Sequence, residues 1–209
     1  MIKLQNVHKK YGSQHVLNGI DLEVDRGVFC GISGRSGAGK STLLKLISGI
    51  ERPDEGSVTL DGRSLDKYSV PDIWGSRFSF VFQNYFLLDD RSVEGNLRLA
   101  DRRADRRKMA EVLEKVGLAE DVLNRKVPEL SGGEKQRAGI ARALLKPFDI
   151  LIADEPTGNL DRQNARAVRE IMRRLSDEGK TVIVVSHDDG FLDVADRRLL
   201  LEDGRLKSV

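Results

Sequence analysis

The sequence predicts an α/β fold with a parallel sheet at its centre and a helical segment inserted into it. Three observations predict this. The runs Val28–Ile32, Asp149–Ala153 and Thr181–Val185 are almost continuously apolar, as expected of strands covered on both faces. Between the last two, Val168, Ile171, Met172 and Leu175 recur at helical spacing and Gly179 closes the helix, which is the strand–helix–strand order of a parallel sheet. From about Ser92 to Lys146 the pattern turns helical and interrupts that order.

Taken along the chain, Ile2-Lys3-Leu4 and Leu22-Glu23-Val24 alternate apolar and polar, with Gly12 and Gly27 as turns, so the first thirty residues read as short strands. The run Val28–Ile32 leads through a glycine loop into a helix at Thr42–Ile47. Turns at Pro53–Gly56 and Asp61-Gly62 bracket a strand at Ser57–Leu60. In the insertion, Met109, Val112, Leu113 and Val116 share a helix face that stops at Gly117. The run Asp101–Lys108 mixes both signs and reads as a solvated face, and Trp74 reads as packing.

Composition narrows the function. Among 209 residues, 35 Lys+Arg against 33 Asp+Glu leave a net charge of +2, which gives no electrostatic footprint for nucleic acid. The lone Cys30 excludes an internal disulfide framework, suits a reducing cytoplasm and sits in an apolar run as a core residue would. Residues 1–10 reach Lys9-Lys10 without an apolar h-region, so no secretory signal is expected there. No run approaches the roughly 18 apolar residues that cross a bilayer. Work at a membrane would require docking on a partner.

Gly34-Arg35-Ser36-Gly37-Ala38-Gly39-Lys40-Ser41, followed by Thr42, matches the phosphate-loop pattern G-x-x-x-x-G-K-[ST] at every required position. The glycines let successive N–H groups converge on an anion, and the helix beginning near Lys40 adds its positive end. Lys40 is expected to reach the β- and γ-phosphates of a nucleotide, and the Ser41 hydroxyl to bind Mg²⁺. Taken alone, the loop leaves kinases, GTPases, helicases and transport ATPases open.

Leu130-Ser131-Gly132-Gly133-Glu134-Lys135-Gln136-Arg137 contains a capping box, with Ser131 as N-cap and Glu134 three residues on. A cap does not need two consecutive glycines. Gly132-Gly133 leaves bare backbone at a helix start, a second place for an anion. This segment resembles the signature sequence of ABC ATPases, and the resemblance covers essentially the whole chain. It implies a P-loop NTPase core of the RecA-like kind, an N-terminal antiparallel β subdomain and an inserted α-helical subdomain. The division it implies is 1–83 with 147–209 for the β subdomain and core, and 84–146 for the helical part. It further implies that Ser131, Gly132 and Gly133 contact the γ-phosphate held by a second copy, in a head-to-tail dimer with two composite sites.

The remaining site residues follow from the same resemblance. Asp154 and Glu155 end the run Ile150–Ala153, where carboxylates face the ligand crevice of an open α/β sheet. Asp154 resembles the Mg²⁺-holding aspartate, and Glu155 the general base that polarises the attacking water. His187, after Val182–Ser186, resembles the histidine that contacts the γ-phosphate. Gln83 resembles the glutamine that senses Mg²⁺ and water and links hydrolysis to movement of the helical part. Asp161 resembles an aspartate that bridges the dimer, and it also stands where a helix cap would. Tyr11 resembles the aromatic that stacks on adenine. The implied ligands are ATP and Mg²⁺, and Lys40, Gln83, Glu155 and His187 are the implied catalytic group.

Within the family, Ser36–Leu46, Gly49–Pro53, Phe86–Val93 and Ala153–Asp161 are similar to the branch of lipoprotein-releasing, macrolide-efflux and cell-division ATPases. Residues 36–53 and 87–93 resemble the cell-division type most. That branch implies an integral-membrane permease as partner, a place on the cytoplasmic face of the membrane, and a mechanical stroke. Tyr85–Leu88 is an apolar patch suited to that docking. The stretch after Val93 is shorter than the branch pattern, and Gly27 is followed by Val28 instead of an acidic residue. The rival class, soluble ABC ATPases that act on DNA or ribosomes, carries a long coiled coil between phosphate loop and signature or two ATPase domains. The interval from Lys40 to Ser131 has no room for the first, and the chain holds one copy of each motif.

Overall fold

Strands β1 (Ile2–Tyr11) and β2 (Gln14–Val24) pair antiparallel about a turn at Gly12, whose φ of 59° favours glycine. The computed structural model describes all 209 residues except the side chain of Val70. β3 (Phe29–Ser33) runs into α1 (Lys40–Ile47), and β4 (Glu55–Leu60) and β5 (Arg63–Ser64) follow. Next come α2 (Val70–Ser76), β6 (Phe78–Phe82), α3 (Val93–Leu97), α4 (Arg106–Lys115) and α5 (Gly132–Leu145). The chain ends with β7 (Ile150–Asp154), α6 (Arg162–Asp177), β8 (Thr181–Val185), α7 (Gly190–Val194), β9 (Arg197–Glu202) and β10 (Arg205–Ser208).

These strands form two sheets. A four-stranded antiparallel sheet has the order β2-β1-β4-β5, and a six-stranded sheet the order β10-β9-β3-β8-β7-β6. In the larger sheet only β10 is antiparallel. The strands begin one residue later than hydropathy suggests at β3 and β7. Val28 and Asp149 act as lead-ins, their carbonyls accepting from Val182 N at 3.0 Å and Thr181 N at 3.0 Å.

Alternation along the buried strands sorts their side chains onto two faces. Phe29, Leu151, Ala153, Val182 and Val184 join one apolar cluster with α4, α5 and the Val168, Ile171, Met172 and Leu175 face of α6. Cys30, Ile32, Ile152, Ile183 and Val185 join the other, with α1 and the small sheet. The inserted helices therefore share a core with one face of the main sheet. Ser79 Oγ, buried in β6, donates to Ala143 O of α5 at 2.6 Å across that junction. Each fully buried aliphatic side chain in these clusters contributes on the order of 1.5–3 kcal/mol. Burial pushes the Cys30 thiol up to about 12, as a core cysteine requires. Trp74 stacks on Phe80 at 5.0 Å, and Phe80 on Phe82 at 4.9 Å, so Trp74 is packing.

Candidate active site

The phosphate loop bridges the end of β3 and the start of α1, so its N–H groups lie at a strand's carboxyl end and a helix's positive end. Each glycine has its own reason. A Cβ on Gly34 would stand 2.6 Å from the Leu201 carbonyl oxygen of β9. Gly37 has a φ of 79° in open space. Gly39 combines a φ of 100° with a Cβ position 2.9 Å from Val16 Cγ1.

Lys40 is only 9% exposed, and its ammonium is held inside the chain. It donates to Gly34 O at 2.8 Å and Arg35 O at 3.2 Å, and lies 3.3 Å from Glu155 Oε1. Glu155 follows β7 at a φ of 47°, uncommon for a residue with a side chain. Its Oε2 accepts from His187 N at 3.0 Å and Ser186 Oγ at 3.1 Å, and stands 2.8 Å from His187 Nδ1. Lysine, glutamate and histidine from three separate segments thus form one contiguous group. Asp154, the last residue of β7, has its carboxyl raised above the usual aspartate range, chiefly because burial strips water from the charge. The nearby Ser41 hydroxyl partly offsets that rise, while the neighbouring Glu155 charge adds to it.

These groups line an open cleft of about 870 Å³, within the range of ligand sites. Of the predicted residues, Tyr11, Ser36, Gly37, Gly39, Lys40, Ser41, Thr42, Gln83, Asp154, Glu155 and His187 lie on its walls. Gly34 and Arg35 contribute the carbonyls that hold Lys40, and Ala38 packs against the core beneath the loop. Tyr11 is 45% exposed and donates its hydroxyl to Glu51, which also accepts from Lys45 Nζ at 2.9 Å. Gln83 lies against the backbone just past Glu155, where a Cβ on Gly158 would come within 2.8 Å of Gln83 Nε2.

Ser131, Gly132, Gly133 and Asp161 lie outside the walls of this cleft. Ser131 caps α5 as expected: its Oγ accepts from Glu134 N at 3.3 Å, and Glu134 Oε2 accepts from Ser131 N at 2.8 Å. That backbone bond heads the causes that hold the Glu134 carboxyl down at about 2. Asp161 caps α6, accepting from Asn164 N at 2.9 Å.

Several wall and support residues carry no local signal. Val16, Phe82, Asn84 and Phe86 line the cleft. Asp188, next to His187, accepts from Thr157 Oγ1 at 3.0 Å, Arg169 Nη1 at 2.6 Å and Gly190 N at 3.0 Å. It fixes the loop that carries His187. Only the neighbour His187 hinted at it.

The donor set suits a hydrated magnesium ion. No group of three His, Cys, Asp or Glu residues able to hold a metal occurs among the described residues. Mg²⁺ does not need one, since it keeps several waters and takes one or two carboxylates beside substrate phosphates. Asp154, its carboxyl raised by burial and set beside the Ser41 hydroxyl, fits that pattern.

The family model described as ABC transporter matches residues 17–158. The chain belongs to the ABC transporter family. It is the ATPase subunit of such a system, a reading favoured over the soluble rival by its similarity to ATP-binding proteins of transport systems. It is 38% identical over 218 residues to the lipoprotein-releasing system ATP-binding protein LolD of Bacteroides thetaiotaomicron, covering 99% of each. It is 42% identical over 199 residues to the macrolide export ATP-binding/permease protein MacB of Agrobacterium fabrum, covering 90% of this chain and 30% of that one. The ABC ATPase chain therefore spans the LolD relative in full and about a third of MacB. The dimeric bacterial ABC transporter cassette MJ0796 superposes with a TM-score of 0.88 at 33% identity, covering 100% of this chain and 98% of that one. A post-hydrolysis dimer of the same cassette, bound to ADP and Pi, gives 0.87 at 32% identity. No helix among the described residues is long and apolar enough to cross a membrane.

Proposed function

We propose that this subunit hydrolyses ATP to ADP and phosphate as a head-to-tail dimer and so drives an integral-membrane permease on the cytoplasmic face of the membrane. One observation carries the reading. The cleft gathers the phosphate loop, Asp154, Glu155 and His187, yet the signature amides of the same chain stand outside it. A second copy supplies them to complete each site, as the dimeric state of the similar MJ0796 cassette supports.

The residues then divide the work. Tyr11 offers a flat face to the adenine. The loop Gly34–Gly39 gives its N–H groups to the phosphates, and Lys40 exchanges Glu155 for the β- and γ-phosphate oxygens. Ser41, Asp154 and Gln83 would hold Mg²⁺ there, and the ion would neutralise charge on the transferring group. Glu155, freed from Lys40, accepts a proton from the water whose oxygen bonds to the γ-phosphorus. The bond from that phosphorus to the bridging oxygen breaks, and ADP leaves with the bond's electrons. His187 orients that water and contacts the γ-phosphate. Positioning and charge account for most of such catalysis. Ser131, Gly132, Gly133 and Asp161 act on the partner's nucleotide.

Phe86 is 60% and Leu88 41% exposed beside the cleft-lining Gln83, an apolar rim that suits a permease segment. The names of the LolD and MacB relatives support an export or lipoprotein-releasing class, with cell-division machinery as the third member of the branch. The deciding experiment is Glu155→Gln. It is expected to keep ATP binding, lose nearly all turnover and elute as a dimer with ATP. Normal hydrolysis by this variant would overturn the assignment of the base.

A further inference from the structure

The second glycine of the signature has a partner inside its own chain. A Cβ on Gly133 would stand 2.2 Å from Asn164 Oδ1, whereas one on Gly132 would meet only the Tyr85 hydroxyl, at 3.5 Å. Asn164 belongs to the first turn of α6 and uses each of its polar groups. Its Oδ1 accepts from Arg137 Nη1 of α5 at 2.5 Å, its Nδ2 donates to Asp161 Oδ2 at 2.6 Å, and its N donates to Asp161 Oδ1 at 2.9 Å. A second fastening lies one residue before Arg137. Gln136, 1% exposed, donates from Nε2 to Pro156 O at 2.6 Å, directly after Glu155. The close approach of Asn164 by itself requires glycine at 133, beside whatever its backbone offers a partner's nucleotide.

We infer that Asn164 is a positioning residue that joins the signature helix to the Asp161 loop, so that the two elements presented to a partner's nucleotide are held as one piece. The inference rests on the composite-site reading above and adds a device to it. Asn164 touches neither the phosphate loop nor the cleft, and it acts through Gly133, Arg137 and Asp161. Because the same α5 turn is tied to Pro156, a shift of the Glu155 loop carries to the signature of its own chain. The binding half and the donating half of one subunit are mechanically linked.

Three measurements test this. In the nucleotide-free chain, Asn164→Ala is expected to speed hydrogen exchange at the amides of 131–137 at least tenfold while leaving 34–42 unchanged. Asn164→Asp keeps the Arg137 acceptor but sets a second carboxylate against Asp161, and is expected to fall between. Second, Gly133→Ala is expected to lower Tm, and Asn164→Ala added to it to recover most of that loss, since the obstructing side chain is gone. Third, in the Glu155→Gln background, Asn164→Ala is expected to raise the ATP concentration needed for dimerisation at least tenfold, with the affinity of the isolated chain for ADP changed less than twofold. Unchanged exchange at 131–137, or no rescue of Gly133→Ala, overturns the inference whatever the dimer does. A Glu155→Gln chain that stays monomeric with ATP defeats the composite-site reading instead, and leaves the exchange and rescue results to judge Asn164.

Discussion

The three glycines of the phosphate loop offer a graded test of how local geometry sets the stability of the site. Gly37 differs from alanine only in backbone conformation: its φ is 79° and nothing lies within 4 Å of a Cβ. A side chain in the left-handed region costs about 1–2 kcal/mol, and alanine returns about 0.4–1 kcal/mol by restricting the unfolded chain. Gly37→Ala should thus cost about 1 kcal/mol. Gly39→Ala carries the same conformational cost at a φ of 100°, and its Cβ falls 2.9 Å from Val16 Cγ1 and 3.2 Å from Val16 O. Overpacking of that kind adds about 1–3 kcal/mol, for a total near 2–4 kcal/mol. Gly34→Ala isolates the steric part, because its Cβ meets the Leu201 carbonyl oxygen at 2.6 Å without a positive φ. For a chain of this size 1 kcal/mol moves Tm by about 2–4 °C, so Gly39→Ala should melt about 2–12 °C below Gly37→Ala. Thermal and urea denaturation of the nucleotide-free variants measure both differences. A Gly39→Ala chain as stable as Gly37→Ala would refute the packing of the loop against β2.

Glu155→Gln removes the carboxylate that occupies Lys40, and a hydrogen bond to a charged group is worth about 1.5–3 kcal/mol. Mg²⁺-free ADP should therefore bind the monomeric variant roughly 10- to 150-fold more tightly by calorimetry; weaker binding would show that Lys40 is not held in check. The Glu134 carboxyl, lowered to about 2 by the Ser131 backbone bond, contributes stability that is fully present above its unfolded value near 4.5 and is lost as pH falls towards 2. Glu134→Gln should flatten the acid limb of a stability–pH curve, and an unchanged limb would contradict the box. Cys30, buried and pushed up to about 12, should resist iodoacetamide at pH 8 on the folded chain and react only with unfolding, followed by mass spectrometry.

Much of this was legible in the sequence because its causes are local. The buried strands announce themselves as apolar runs, the face of α6 by its period, and the Ser131–Glu134 box by a spacing of three. The phosphate loop is a contiguous stretch whose residue types state its chemistry. Other features depend on segments far apart in the chain. The β9–β10 hairpin is hidden because Arg197, Arg198, Arg205 and Lys207 dilute its apolar alternation, and only pairing against β3 makes β9 a central strand. Asp188 looks like any loop aspartate until Arg169 and Thr157 arrive. Two glycines side by side signal bare backbone, but which neighbour each one clears appears only when Tyr85 and Asn164 are in place.

The shared core beneath the inserted helices limits how such a chain can be re-engineered. α5 lies against β6 and α4 against α5, in one apolar cluster with Phe29, Val81, Leu151 and Ala153 of the sheet, and Ser79 clasps the end of α5 from below. The insertion is no detachable cartridge. A chimaera that imports this stretch from a relative, to change which membrane protein it serves, must import the receiving surface of the sheet with it. Otherwise the graft meets a floor cut for other side chains, and the hybrid should fail by loosening long before its chemistry is tried.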